Sequence, residues 1–370
     1  MATETAAPRG KIFRRLFRRW PSWSGYAAAT WSFGYGLLGL LWTLGVPGFP
    51  FGEGDVPDAR EESLLGGATA AGTAPVLAAL GFAGALVALT LARAPARGPA
   101  RPVLLVLGGA VALLLTVLVS DQRVLVAVAY TPLVLVGIPF GWPPISYAEA
   151  VQKLLPWPTV NVLICLVGGL FWVGATIAYQ RRGRQACGNC GRTGLAPANW
   201  TTPAAAARWG RWAAYTAAFV PLIYAVIRWA WAFHIPLAIS PEFFRELHQN
   251  GLIWAGAYLA TFAAAGGLLT VGLVRRWGEI WPRWVLGLAG NRVPPAFPIT
   301  AATLVTIALA SASSVVIRLS DWTDPAALLR NPMTFWPLWA VGLGAATLAY
   351  YFRTRGACLI CGRDERAVSP

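Results

Sequence analysis

Long apolar runs alternate along this chain with short polar breaks rich in arginine and proline. Eight such runs cover 25–46, 71–92, 102–119, 159–179, 213–235, 252–274, 297–317 and 334–352. None shows the strict alternation of a half-buried strand. Each is about 18 to 24 residues long, which as a helix matches a hydrocarbon core of roughly 30 Å. The pattern predicts an all-α polytopic membrane protein with eight transmembrane helices, because a helix satisfies its own backbone in lipid. A ninth apolar stretch, 124–141, is interrupted by Gly137-Ile138-Pro139 and followed by Gly141-Trp142-Pro143-Pro144. We read it as a re-entrant or interfacial insertion, since a full crossing would turn Arg181, Arg182, Arg184 and Arg192 to the outer side.

The runs fall into two sets of four with matching sequence. When Trp23-Ser24-Gly25-Tyr26 is set against Trp212-Ala213-Ala214-Tyr215, Tyr35 meets Tyr224, Trp42 meets Trp231 and Pro47 meets Pro236 without a gap. At the other end, Tyr179, Arg182, Arg184 and Cys187-x-x-Cys190-Gly191-Arg192 meet Tyr350, Arg353, Arg355 and Cys358-x-x-Cys361-Gly362-Arg363. Ser120-Asp121 likewise answers Ser320-Asp321. This reads as a tandem duplication of a four-helix unit. An even number of spans per unit makes the repeats parallel, which disfavours inverted-repeat transporter folds. The expected organisation is a basic amphipathic segment (1–22), a first repeat (23–192), a linker (193–211), a second repeat (212–363) and a short tail (364–370).

Composition agrees with lipid as the main solvent: 56% of residues are hydrophobic, 12% are charged and 19 are Trp. The net charge of +15 would suggest nucleic acid in a soluble protein. Here the basic residues sit in the breaks between apolar runs, no nucleic-acid motif is present, and nucleic acid is not an expected partner. Most of them fall in the N-terminal segment, the breaks around Arg93–Arg101, Arg181–Arg211 and Arg275–Arg292, and the C-terminus, so the positive-inside rule places both termini in the cytoplasm. Arginine far outnumbers lysine, and Ala, Gly and Pro are abundant, which reads as a GC-rich coding bias and a bacterial plasma membrane. The first run is too long for a signal-peptide core and is expected to remain as an anchor. Ahead of it, Arg14, Arg15, Arg18 and Arg19 oppose an apolar helical face, the pattern of a helix lying on anionic lipid.

The most specific chemical signal is the pair of Cys-x-x-Cys-Gly-Arg motifs. A two-residue gap lets both sulfurs of a pair reach one ion, and the following glycine permits the turn that aims backbone amides at sulfur. Cys187, Cys190, Cys358 and Cys361 are therefore candidate ligands of one structural zinc, provided the repeat ends converge on a common cytoplasmic side. The alternatives are inherited turns with spare thiols, or redox chemistry. Cys165, inside a span, reads as a packing residue.

Arg228 and Arg318 are the charges in or at the edge of spans. Together with His234, Asp321 and Asp324 they outline a candidate outward-facing polar pocket, with snorkelling arginines as the plain alternative. Ser240-Pro241 and Gly251 bracket a short capped helix containing His248. No Gly-x-Ser-x-Gly, Walker A or His-Glu-x-x-His sequence occurs.

The stretch Trp42-Thr43-Leu44-Gly45-Val46-Pro47-Gly48-Phe49-Pro50-Phe51-Gly52, together with the Cys-x-x-Cys-Gly-Arg ends, resembles uncharacterised multi-pass membrane proteins of GC-rich bacteria. The resemblance implies a membrane location and no particular activity. The first functional expectation is a membrane scaffold or regulatory protein whose zinc-bound cytoplasmic face docks a protein partner or anionic lipid. The alternatives are a permease for a small or apolar solute and a lipid-modifying enzyme.

Overall fold

A computed structural model describes residues 18–364 except 96, 142–143, 196, 284, 286, 325–327 and 329–330. The described residues are helical, with no strand beyond an isolated bridge between Ile280 and Arg292. In chain order the main helices are α1 (Trp20–Thr43), α2 (Ala70–Arg93), α3 (Ala100–Leu113), α4 (Gln122–Gly137), α5 (Tyr147–Leu154) and α6 (Trp157–Gly183). They are followed by α7 (Pro203–Ala232), α8 (Pro241–Gln249), α9 (Leu252–Gly272), α10 (Ala296–Leu319) and α11 (Trp336–Thr354).

Local sequence accounts for the helix ends. Thr69, Thr202 and Ser240 cap α2, α7 and α8 with their hydroxyls, and Ser146 and Glu149 form a reciprocal capping box on α5. Pro241 opens α8 as expected, and Gly251, just past its end, adopts a left-handed φ of 66°.

Among the described residues, seven helical stretches are long and apolar enough to cross a membrane: α2, α3 with its continuation to Leu118, α4 with its continuation to Phe140, α6, α7, α9 and α10. Helices α1 and α11 are of similar length, but Trp, Tyr, Ser and Gly make them less apolar. The 124–141 stretch forms an unbroken helix to Gly137 and a 3-10 turn over Ile138–Phe140, and Gly141 ends it with φ 79°. The anticipated break at Gly137-Ile138-Pro139 is thus a change of helix type.

The chain forms two compact units, one comprising 1–119, 160–197 and 356–370, the other 120–159 and 198–355. In the first unit, small residues let helices approach backbone to backbone. A Cβ placed on Gly81 would lie 2.5 Å from Gly36 Cα, one on Gly39 would lie 2.6 Å from Ala78 N, and Gly25 faces Ala92, so α1 and α2 run antiparallel in close contact. Gly174 against Ser24 and Gly168 against Trp31 set α6 antiparallel to α1, while Gly108 against Thr176 and Gly169 against Thr116 set α3 antiparallel to α6. Helix α3 therefore leaves this bundle at the end where α6 enters it. A buried polar cluster ties the helices together: Tyr35 donates to Asn161 Oδ1 at 3.1 Å, Trp31 to Ile164 O at 3.0 Å and Trp172 to Ser32 Oγ at 3.1 Å. Cys165, 1% exposed, donates weakly to Tyr35 Oη, as suits a packing residue.

Gly81→Leu should lower the stability of the detergent-solubilised protein by about 3 kcal/mol or more, because the added side chain has only backbone to displace. Gly34→Leu, at a glycine with nothing within 4 Å, should leave thermal unfolding unchanged. Equal melting of the two variants would mean that the α1–α2 contact is dispensable.

In the second unit, α7 packs against α9 and α11 around Ala214, Ala217, Val220, Leu309, Leu343 and Ala346, and α4 lies on α10. The two units use the same local devices. In one, Arg182 donates to the carbonyls of Leu91 and Ala92 at the end of α2. In the other, Arg353 donates to Leu273 O, just past the end of α9, at 2.6 Å and pairs with Glu279 at 3.0 Å. Tyr179 donates to Pro95 O, and Tyr350 to Gly278 O.

Candidate metal centre

Helix α6 ends at Gly183, and the backbone turns through Gln185, φ 54°, into the first cysteine loop. There Cys187 N donates to Arg192 O at 2.9 Å and Gly191 N to Cys187 O at 2.8 Å. The loop after α11 repeats both bonds: Cys358 N to Arg363 O at 3.0 Å and Gly362 N to Cys358 O at 2.8 Å. Gly191 and Gly362 take φ of 74° and 71°, a conformation that costs most residues energy but not glycine. Both loops belong to the first unit.

The four sulfurs of Cys187, Cys190, Cys358 and Cys361 all lie within 4.8 Å of one another. Sulfurs 171 residues apart face each other, Cys187 to Cys358 at 3.9 Å and Cys190 to Cys361 at 3.6 Å. Four sulfurs each about 2.3 Å from a central ion would stand about 3.8 Å apart in a tetrahedron. The cluster can hold a metal ion.

Arginines brace the loops from both sides. Arg192, 6% exposed, donates to Gly356 O at 3.0 Å and Arg363 O at 2.6 Å, and Arg363 returns a bond to Arg192 O at 2.7 Å. Arg181 donates to Gly188 O and Asn189 O at 2.6 and 2.8 Å while its guanidinium lies over the Trp20 ring. Asn189 Nδ2 donates to Arg18 O at 2.9 Å, which places the start of α1 beside the first loop. The repeated Arg positions were visible in the sequence, but their reciprocal carbonyl bonds were not.

Burial raises the cost of a thiolate at Cys358, yet the amides of Cys361 and Ile360 bring it down to about 6. Cys187 is likewise lowered by the amides of Cys190 and Asn189 against burial. Burial and the three neighbouring sulfurs push Cys190 up to about 12. The first cysteine of each loop is thus the more acidic partner of Cys190, and a metal entering the site would displace the protons that remain.

The other sequence-predicted groups have partners of their own. Arg228 lies over the rings of Tyr224 and Trp231. His234 stacks on His248 with ring centres 4.5 Å apart. Arg318 Nε donates to Ser314 O one turn back. The hydroxyl and amide of Thr323 engage Asp321 and hold its carboxyl below the usual range. Asp324 is exposed to an intermediate degree. Arg14 and Arg15 lie outside the described residues, whereas Arg18 and Arg19 stand at the start of α1.

Compared with known protein families, curated proteins and solved structures, the chain matches none. It is a polytopic, membrane-type helical protein with a four-cysteine cluster.

Proposed function

We propose that this is a plasma-membrane scaffold or regulatory protein of a bacterium, whose cytoplasmic face is fixed by a structural zinc. The observation that carries the reading is the convergence of four sulfurs within 4.8 Å from loops 171 residues apart. Zinc suits it because the sulfur spacing is compatible with a tetrahedron, all four candidate ligands are cysteine, and four thiolates would leave no position open for substrate. Arginines around the loops suit a docking face for an acidic partner or anionic lipid, with Arg14, Arg15, Arg18 and Arg19 adding to it at the N-terminus.

The same convergence supports eight crossings. Sulfurs this close must share one side of the membrane, so an even number of crossings separates the pairs. Three of the seven most apolar stretches, α7, α9 and α10, lie between them, and α11 supplies the fourth. In the first unit, α1, α2, α3 and α6 alternate in direction, and the 120–159 segment begins and ends on one side. That supports a re-entrant or interfacial α4. The shared local contacts of Arg182 and Arg353, and of the two cysteine loops, support a tandem duplication.

Reporter fusions after Arg192 and at the C-terminus should both report cytoplasm. A periplasmic signal after Arg192 with a cytoplasmic N-terminus would mean that α4 crosses. Solute flux in proteoliposomes tests the scaffold reading itself: none is expected, and selective passage of a small or apolar solute would replace the scaffold with a permease.

A further inference from the structure

Away from the cysteines, Arg228 is the group with the least obvious structural reason. It sits on α7, a candidate span, four residues before the helix end at Ala232, or about 6 Å along the axis. A charge at such a depth normally pairs with an acid or reaches for the interface. Among the described residues no acidic side chain pairs with Arg228, and its Nε is buried without an acceptor. Its guanidinium carbon stands 5.2 Å from the centre of the Tyr224 ring and 4.6 Å from that of Trp231. The guanidinium thus stays against two rings of its own helix, the nearer being Trp231.

The surroundings leave room and supply donors. Gly256 on α9 faces the arginine: a Cβ there would stand 3.7 Å from Cδ and from Nη1, so the glycine itself leaves that space open. Tyr130 on α4 lies within electrostatic reach of Arg228, and its ring lies 6.1 Å from that of Tyr258. Tyr258 donates its hydroxyl to Ala129 O, whereas the hydroxyls of Tyr130 and Tyr224 bond no group among the described residues. A planar guanidinium and two phenol donors in a low-dielectric, aromatic-walled niche match the several non-ester oxygens of a phosphate.

We propose that Arg228, with Tyr224 and Tyr130 as neutral donors, forms a phosphate-binding site in the membrane-embedded part of the second unit. The phosphate comes from a phospholipid headgroup or from the free ion, and the probes below separate the two. A bound phosphate also supplies the counter-charge that Arg228 otherwise lacks.

The test uses the full-length protein in neutral detergent. Phosphatidylglycerol, inorganic phosphate and diacylglycerol, which lacks phosphate, are titrated separately, with native mass spectrometry and thermal shift as readouts. Wild type should bind one phosphatidylglycerol if the source is lipid, or gain stability from inorganic phosphate if it is the free ion, and diacylglycerol should do neither. Arg228→Gln should weaken the effective probe at least tenfold, and Arg228→Lys should recover part of that loss. Gly256→Val keeps the charge but fills the open flank, and should weaken binding as well; it carries the test if Arg228→Gln does not fold. Equal binding by wild type and Gly256→Val, no binding of either phosphate probe by wild type, or equal protection by diacylglycerol would overturn the proposal.

Discussion

Purified protein should contain close to one equivalent of zinc per chain, and Cys187→Ser or Cys361→Ser should each abolish nearly all of it. Three sulfurs and a serine hydroxyl make a far weaker set for zinc than four thiolates, and the free energy of holding the metal is also free energy of folding. Each variant should therefore melt earlier by an amount corresponding to several kcal/mol, and chelation of the wild type should reproduce the shift. Cys165→Ser is the internal control: that thiol is enclosed among Tyr35 and its neighbours in the helical bundle and should leave the metal content unchanged. Elemental analysis and thermal unfolding together check the expectation. Metal-free wild type with all four loop thiols labelling readily in the native state would reduce the site to a pair of inherited turns, and iron in place of zinc would return the redox reading.

The second large effect is expected at Arg123. Its partner Asp121, 1% exposed, caps α4 by accepting from Arg123 N at 3.0 Å. The Arg123 side chain holds the same carboxylate from Nε at 2.9 Å to each oxygen and from Nη2 at 2.5 Å. Arg123→Ala leaves that carboxylate enclosed without its cation, which should cost about 3–5 kcal/mol in thermal or denaturant unfolding. Replacing both residues, as Asp121→Asn with Arg123→Leu, should restore most of the loss, because the penalty belongs to the stranded charge. Asp321 occupies the matching sequence position but is exposed and held by Thr323, so Asp321→Asn should give no measurable change. An Arg123→Ala protein as stable as wild type would show that water reaches Asp121.

The contrast between those two aspartates marks where the sequence stops being informative. Ser120-Asp121 and Ser320-Asp321 read alike, and only packing decides that one is enclosed and the other open. Helical content was legible because unbroken apolar length leaves lipid-buried backbone few other options. Short-range chemistry was legible too: the Ser240-Pro241 start of α8 and the Gly251 stop depend on residues a few positions apart. The gathering of the cysteines could be anticipated from two like motifs assigned to one side of the membrane. The crossed bonds between Arg192 and Arg363 could not, since no local pattern encodes a contact across 171 residues. For the same reason the apolar run 124–141 gave no sign that its helix would pack on α10. The π-helical turn over Leu114–Leu118 likewise left no trace in a run of leucine and valine.

The spacing of the cysteines also bears on how the protein is made. The first pair leaves the ribosome 171 residues before the second, a delay of roughly ten to thirty seconds at bacterial elongation rates of about 5–20 residues per second. Throughout that interval Cys187 and Cys190 offer only half a coordination shell, and a chain interrupted before Cys358 never offers more. A metal held by all four sulfurs could be captured fully only after Cys361 has been synthesised, so chains interrupted earlier would keep open thiols by which they can be told apart.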